Sequence, residues 1–288
     1  MKTDIMKTSN LLTFIRFRNT TVTVLYILLF STLLARKVNL YEFSLVALSN
    51  LFAIWAIYGL NDMEDAKLEL TLKKRRKFFH KNLILNGQIS EREAYGLTLI
   101  FGLLALLISL QMGIYNFVLI GLILLIGLVY SSSHLRFKAR PPLDVLSHAM
   151  IGPLISMGIF VTVGTSVLYG ITLISFFLGS LIPEILNQRY DYNLDKKNKV
   201  KTTVQMLGKG ISLKLIIGLA FSIIVLNGLI FFLYGGIDLA LLYLLLSPLL
   251  IMFLNKKVRQ LLEKKPIVLV IPIFVNIIVL LLGFLNIL

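Results

Sequence analysis

The chain has 288 residues, 57% of them hydrophobic and 15% charged, with a formal net charge of +15. That composition excludes a soluble globular domain. The absence of cysteine excludes disulfides, thiolate zinc sites and cysteine nucleophiles. A surplus of Lys and Arg would fit a nucleic-acid binder, but its placement between apolar stretches indicates a lipid bilayer as the partner and no nucleic acid.

Apolar stretches long enough to cross a hydrocarbon core of roughly 30 Å recur along the chain. Nine are read as helices: about 20–35, 40–60, 94–112, 114–130, 143–163, 167–186, 211–234, 237–255 and 266–288. They are too long for strands and lack strict alternation, so the expected fold is all-α, a multi-pass transmembrane bundle. The first follows Lys2, Lys7, Arg16 and Arg18 in the manner of a signal peptide. Its end, Leu33-Leu34-Ala35-Arg36-Lys37, is a poor cleavage site, and the helix is read as retained. Of the 29 lysines and arginines, all but Arg36 and Lys37 then fall on one side. This predicts a cell-membrane protein with its N-terminus and basic loops cytoplasmic and its C-terminus external. The run Lys73-Lys74-Arg75-Arg76-Lys77 reads as an anchor to anionic headgroups.

Two acidic stretches begin where apolar runs end. The first holds Asn61, Asp62, Asp65 and Glu69, and the second Asn187, Asp191 and Asp195. At spacing i, i+4, i+8 each set lies along one helical stripe, where like charges repel by a few tenths of a kcal/mol, roughly, per pair. A bound cation would offset that cost. Oxygen ligands at this spacing fit Mg²⁺ together with a phosphorylated ligand. Both stretches follow an even-numbered helix and so face the cytoplasm. This predicts two four-helix halves, about 10–142 and 143–255, with a ninth helix added, all in one domain over 1–288.

Glu184, after Pro183, stands within or close to the membrane, and Glu184, Asn187, Gln188 and Asp191 line one helical face. The connection from Tyr130 to Pro142 contributes Arg136, Lys138 and Arg140, cations suited to a diphosphate or to membrane anchoring. His148, four residues after Asp144, reads as one half of a hydrogen-bonded pair, and Trp55 reads as packing. Two function classes fit these features. An enzyme acting on a phosphorylated lipid is one; a membrane transporter for a phosphorylated or anionic solute is the alternative. Broken helices, midplane charges and inverted repeats would mark the transporter.

Asn61-Asp62-x-x-Asp65-x-x-x-Glu69 and Asp191-x-x-x-Asp195 resemble the two aspartate-rich motifs of the UbiA superfamily of intramembrane prenyltransferases. Tyr130 to Pro141 is similar to that family's Tyr-Ser-x-Pro-Pro-x-Arg-x-Lys-x-x-Pro segment, and Lys196-Lys197, Lys201-Thr202 and Leu207-Gly208 match its later pattern. Glu69 stands where the family usually has Asp, and His134 stands near its usual prolines. The segment from Asn82 to Gly87 resembles the carotenoid branch, lycopene elongases among them.

The resemblance implies transfer of an isoprenyl group from an isoprenyl diphosphate to a lipophilic acceptor, with release of diphosphate. It implies Mg²⁺ held by Asn61, Asp65, Glu69, Asn187, Asp191 and Asp195, and a diphosphate bound by Arg18, Tyr130, Arg136, Lys138 and Lys201. Asp65, Asp191 and Asp195 count as catalytic, and so does Asp62, as a base or a supporting residue.

Overall fold

Ten α-helices and one 3₁₀ turn make up the described residues, and no strand occurs among them. The computed structural model describes residues 8–35, 39–72, 82–163, 167–197, 200–247 and 270–285. The side chains of 18, 19, 68–72, 194 and 270–274 are outside that description. The basic run 73–77 and the side chains of Arg18 and Glu69 therefore lie outside the described residues. In chain order the helices are α1 (Thr8–Phe14), α2 (Phe17–Ala35), α3 (Leu40–Leu72), α4 (Glu91–Gln111), α5 (Ile114–Ser131), α6 (Leu143–Val163), α7 (Val167–Tyr190), α8 (Tyr192–Lys197), α9 (Thr203–Leu246) and α10 (Val270–Phe284). The 3₁₀ turn, Phe137–Ala139, precedes α6.

Where nine spans are expected, six helices among the described residues are long and apolar enough to cross a bilayer: α3 over Leu40–Lys67, and α4, α5, α6, α7 and α9. Thr20–Ala35 and Val275–Phe284 are shorter apolar helices. At 44 residues α9 is about twice the length that one crossing needs. Its backbone leaves helical geometry at Gly208 (φ 76°) and Gly236 (φ 86°), left-handed values that suit glycine. The break at Gly236 falls between the expected stretches 211–234 and 237–255. Leucines such as Leu103, Leu107 and Leu110 on α4 stay more than half exposed, an apolar surface that hydrocarbon accommodates and water does not.

The chain divides into two units, Met1–Leu25 with Leu40–Arg136, and Tyr26–Asn39 with Phe137–Leu288. In the first, α3 packs on α4 and α5. Trp55 is packing, as expected: its ring lies 5.4 Å from Phe52 and 5.5 Å from Phe101. Glycines allow close approach. A Cβ at Gly59 would stand 2.2 Å from Thr98 Oγ1, and one at Gly127 would stand 2.3 Å from Ile57 Cγ1. Small residues at helix contacts are what membrane bundles use when no water drives association. α4 starts with a capping box, in which Ser90 N donates to Glu93 Oε2 at 2.8 Å and Glu93 N donates to Ser90 Oγ at 3.2 Å.

In the second unit, α7 packs on α6 and α9, and α9 on α10. Neutral hydrogen bonds join its helices: Ser31 Oγ to Ser156 Oγ at 2.7 Å, and Ser175 Oγ donating to Asn227 Oδ1 at 2.6 Å. Phe30 meets Phe176 and Phe231 edge-on, at 5.4 and 6.3 Å. Pro153 and Pro183 lie inside α6 and α7, which run through them.

The Gly127 contact sets a test. Gly127→Val should cost about 1–3 kcal/mol, because Ile57 fills the space a side chain needs. Gly121→Ala on the same helix meets nothing within 4 Å and should leave the unfolding temperature in detergent unchanged or raised. Equal Tm values for the two variants would refute the close packing of α3 on α5.

Candidate functional site

The first acidic set lies in the first unit, where α3 continues as regular helix beyond its apolar stretch. Asn61 and Asp65, one turn apart, project along one stripe, and Asn61 Nδ2 donates to Asp65 Oδ2 at 3.2 Å. Ser131 Oγ, at the end of α5, donates to Asn61 Oδ1 at 3.3 Å and so orients the amide. Both Asn61 and Asp65 are half-buried. Asp62 is turned about 100° away round the helix. It is buried, and its Oδ1 accepts from an Arg16 guanidinium nitrogen at 2.9 Å. That guanidinium also lies 4.4 Å from the centre of the Tyr58 ring. Arg16 occupies the break between α1 and α2 with φ 48°, a left-handed conformation uncommon outside glycine.

Glu64 ties the following loop to α3. Its Oε2 accepts from Ser133 N at 3.2 Å, and its Oε1 accepts from Lys67 Nζ at 3.3 Å. The loop then turns through Arg136, at φ 42°, whose backbone N–H donates to Ser132 O at 2.9 Å. Arg136 Nε is buried and has no hydrogen-bond acceptor among the described residues. Tyr130 is half-buried at the end of α5.

The second acidic set lies in the second unit. α7 ends at Tyr190, Asp191 forms a bend, and α8 follows. Asp191 N donates to Asn187 O at 3.0 Å and Asp195 N to Asp191 O at 2.9 Å, so helical spacing carries across the bend. Asn187 is exposed; Asp191 and Asp195 are half-buried. Gln188 and Arg189 turn inward instead. Gln188 donates to Asp144 Oδ2 at 2.9 Å and to Glu184 Oε1 at 3.2 Å, and Arg189 donates to Ser212 Oγ at 2.8 Å and to Lys209 O. Lys138 is half-buried in the 3₁₀ turn, and Lys201 is exposed just before α9.

The structure thus joins Asn61 with Asp65, and pairs the neighbouring Asp62 with Arg16. Arg16 escapes sequence reading because it merges with Arg18 into one basic N-terminal stretch. Asp144 escapes because its sequence neighbour is His148. Its carboxylate instead accepts from Thr203 N, Thr203 Oγ1, Gln188 Nε2 and Val145 N. Among the described residues, no three His, Cys, Asp or Glu side chains converge. Mg²⁺ sites of one or two carboxylates completed by substrate phosphates need no such cluster, and the oxygens of Asn61 and Asp65 fit that donor chemistry.

Long apolar helices with oxygen-donor side chains at their ends define a multi-pass integral membrane protein. The chain belongs to the UbiA prenyltransferase family, which it matches over residues 22–267, and it is a prenyltransferase of that type. It is 29% identical over 216 residues to a digeranylgeranylglyceryl phosphate synthase of Saccharolobus solfataricus, covering 69% of each chain. The structure of a UbiA homolog from Archaeoglobus fulgidus bound to GPP and Mg²⁺ superposes with a TM-score of 0.72 at 20% identity, over 96% of this chain and 98% of that one. The apo structure of a UbiA homolog from Aeropyrum pernix K1 gives a TM-score of 0.73 at 18% identity, over 93% and 98%.

The Arg16–Asp62 pair is open to a double-mutant cycle. Arg16→Met leaves a buried carboxylate without its cation and should cost about 1–2 kcal/mol, a figure held down by the exposure of the Arg16 side chain. Arg16→Met combined with Asp62→Asn should restore part of the loss. Thermal unfolding in detergent reads both, and strictly additive losses would show that the pair is not coupled.

Proposed function

We propose that this prenyltransferase moves an isoprenyl group from an isoprenyl diphosphate to a lipophilic acceptor, with the residues of the two acidic sets as Mg²⁺ ligands. The observation that carries the reading is the oriented Asn61–Asp65 oxygen pair in the same unit as Arg136, whose buried Nε lacks a protein acceptor. A buried unpaired donor costs free energy, and a diphosphate oxygen would relieve it. The Archaeoglobus fulgidus homolog bound to GPP and Mg²⁺ supports the choice of donor and metal.

Asn61, Asp65, Glu69, Asn187, Asp191 and Asp195 are the proposed Mg²⁺ ligands. When bound, Mg²⁺ would stabilise the charge that develops on the departing diphosphate. Arg136 offers a planar two-oxygen contact, and Lys138, Lys201 and Arg18 add point or paired charge, with Tyr130 beside them. The allylic C–O bond breaks and the diphosphate leaves with the electron pair. An electron-rich acceptor atom bonds to the allylic carbon and afterwards loses a proton. Apolar helices that exclude water protect the cation-like carbon from hydrolysis. The Arg16 contact favours a supporting role for Asp62 over that of a base.

The proposed architecture is one transmembrane domain over 1–288, with nine spans and halves at about 10–142 and 143–255. Six long apolar helices, two shorter ones and the Gly236 break support it. The proposed sidedness has the N-terminus and both acidic sets cytoplasmic and the C-terminus external. In intact cells, an impermeant maleimide should label Thr165→Cys and spare Ser133→Cys; the reverse would overturn this sidedness.

The mechanism has its own test in diphosphate release from geranylgeranyl diphosphate against Mg²⁺ concentration, with membrane lipid extract as acceptor source. Asp65→Asn and Asp191→Asn should each lower turnover by roughly 100-fold or more, the order expected when a group stabilising transition-state charge is lost. Full activity of Asp191→Asn at low Mg²⁺ would sink the metal-ligand role of the second acidic set.

A further inference from the structure

Asp144 is fully buried in the first turn of α6. No cation neutralises its carboxylate in the contacts described above. Four hydrogen bonds do that work instead: Thr203 N donates to Oδ2 at 2.6 Å, Gln188 Nε2 donates to Oδ2 at 2.9 Å, Val145 N donates to Oδ1 at 2.9 Å, and Thr203 Oγ1 donates to Oδ1. Four donors thus converge on the two oxygens of one buried carboxyl group. The start of α9 is completed by the same group of residues. Thr203 N is bound by Asp144, Val204 N donates to Gln188 Oε1 at 3.1 Å, and Gln205 N donates to the capping Thr202 Oγ1 at 3.3 Å. Three amides that a helix start leaves without internal partners are thus satisfied by side chains from α6, α7 and the cap itself.

Gln188 is the pivot of this arrangement. Its amide nitrogen donates to Asp144 and Glu184 and its oxygen accepts from α9, so the network fixes the amide's orientation. The next residue, Arg189, is held on α9 by Ser212 and the Lys209 carbonyl. Two consecutive inward residues, clamped on two sides, leave the last turn of α7 no freedom to rotate. Asn187 and Asp191, one residue before Gln188 and three after it, take their direction from that clamp.

We propose that Asp144 is a positioning residue for the second acidic set: through Gln188 and Thr203 it locks the rotation of the end of α7 and thereby aims Asn187 and Asp191 at their cation. This rests on the metal-binding role proposed for that set. It predicts that loss of the Asp144 charge weakens cation binding beyond any loss of stability. Partners that orient metal ligands typically govern affinity by roughly 10–100-fold.

The test uses the full-length protein in detergent, with Mn²⁺ alone as probe, bound ion read by electron paramagnetic resonance and stability by thermal unfolding. Asp144→Asn places an NH₂ group among N–H donors and should weaken Mn²⁺ binding by about tenfold or more, with a matching rise in the Mg²⁺ needed for diphosphate release. Thr203→Val removes one of the four donors and should give a smaller shift in the same direction; Thr203→Ser keeps the hydroxyl and should restore wild-type affinity. Leu154→Ala, a cavity in the buried face of α6, should lower the unfolding temperature without moving Mn²⁺ affinity. If Asp144→Asn does not fold, the Thr203 pair decides. Wild-type Mn²⁺ affinity in Asp144→Asn, or in Thr203→Val where that pair decides, overturns the positioning role while leaving the metal site standing. Failure of the wild-type protein to bind Mn²⁺ at all overturns both.

Discussion

Hydrocarbon offers no hydrogen-bond partner, and each polar group placed in it must find one inside the protein or move to a helix end. Many buried polar side chains among the described residues follow this rule, although Trp55 Nε1 and Thr98 Oγ1 are buried with no partner among those residues. Along its spans the buried polar side chains are mostly Ser, Thr and Asn, and the pairs between helices, Ser31 with Ser156 and Ser175 with Asn227, are neutral. Charge gathers where helices run out of apolar sequence: at the end of α3, across the end of α7, and at the starts of α6 and α9. Helix ends are also where backbone groups lie open. Chemistry that needs oxygen ligands and cationic donors therefore has few other places to stand.

That constraint explains which parts of the structure are legible in the sequence. The lengths of the apolar stretches give helices directly, because a span has one length scale. The Asn-x-x-x-Asp spacing gives a stripe directly, because a helix has one period. Asp62 shows where period alone falls short. It sits in the same short motif as Asp65, yet its place round the helix buries it, against a cation 46 positions away in sequence. The partner is chosen by how α1, α2 and α3 pack, and no local pattern encodes that choice. Asp144 is the same case: its strongest contacts lie 59 positions on, in Thr203. A buried acid at the start of an apolar run is visible in the sequence as an acid; its burial and its partners are not.

The long helix α9 carries a further lesson. Its two glycine breaks differ in context. Gly236 follows Gly235 between two strongly apolar stretches, and a reading by span length alone divides the chain there. Gly208 falls within the first turns, where the helix has just been capped by Thr202 and pinned by Asp144 and Gln188. Length indicates the first break, because a 44-residue apolar helix overshoots a bilayer. Nothing about length indicates the second, which belongs to the way a short helical start is docked before the long segment departs.

The sequence of Asn82 to Gly87 suggests a likeness to a carotenoid branch of the family, and the geometry gives its pattern a local reason. Asn82 Nδ2 donates to the Asp62 carbonyl at 2.8 Å, and its Oδ1 accepts from Ile84 N at 3.0 Å and Leu85 N at 3.3 Å. Gly87 closes the turn at φ 68°, with its N–H on the Ile84 carbonyl at 3.1 Å. Asn at the first position and Gly at the last are the residues this latch requires, since a short amide can bridge two strands of backbone and glycine adopts the left-handed turn. The latch grips the carbonyl of Asp62 itself and so braces the turn of α3 that presents Asn61 and Asp65. The pattern at these positions is fixed by loop closure beside the first acidic set, and it carries no information on the acceptor.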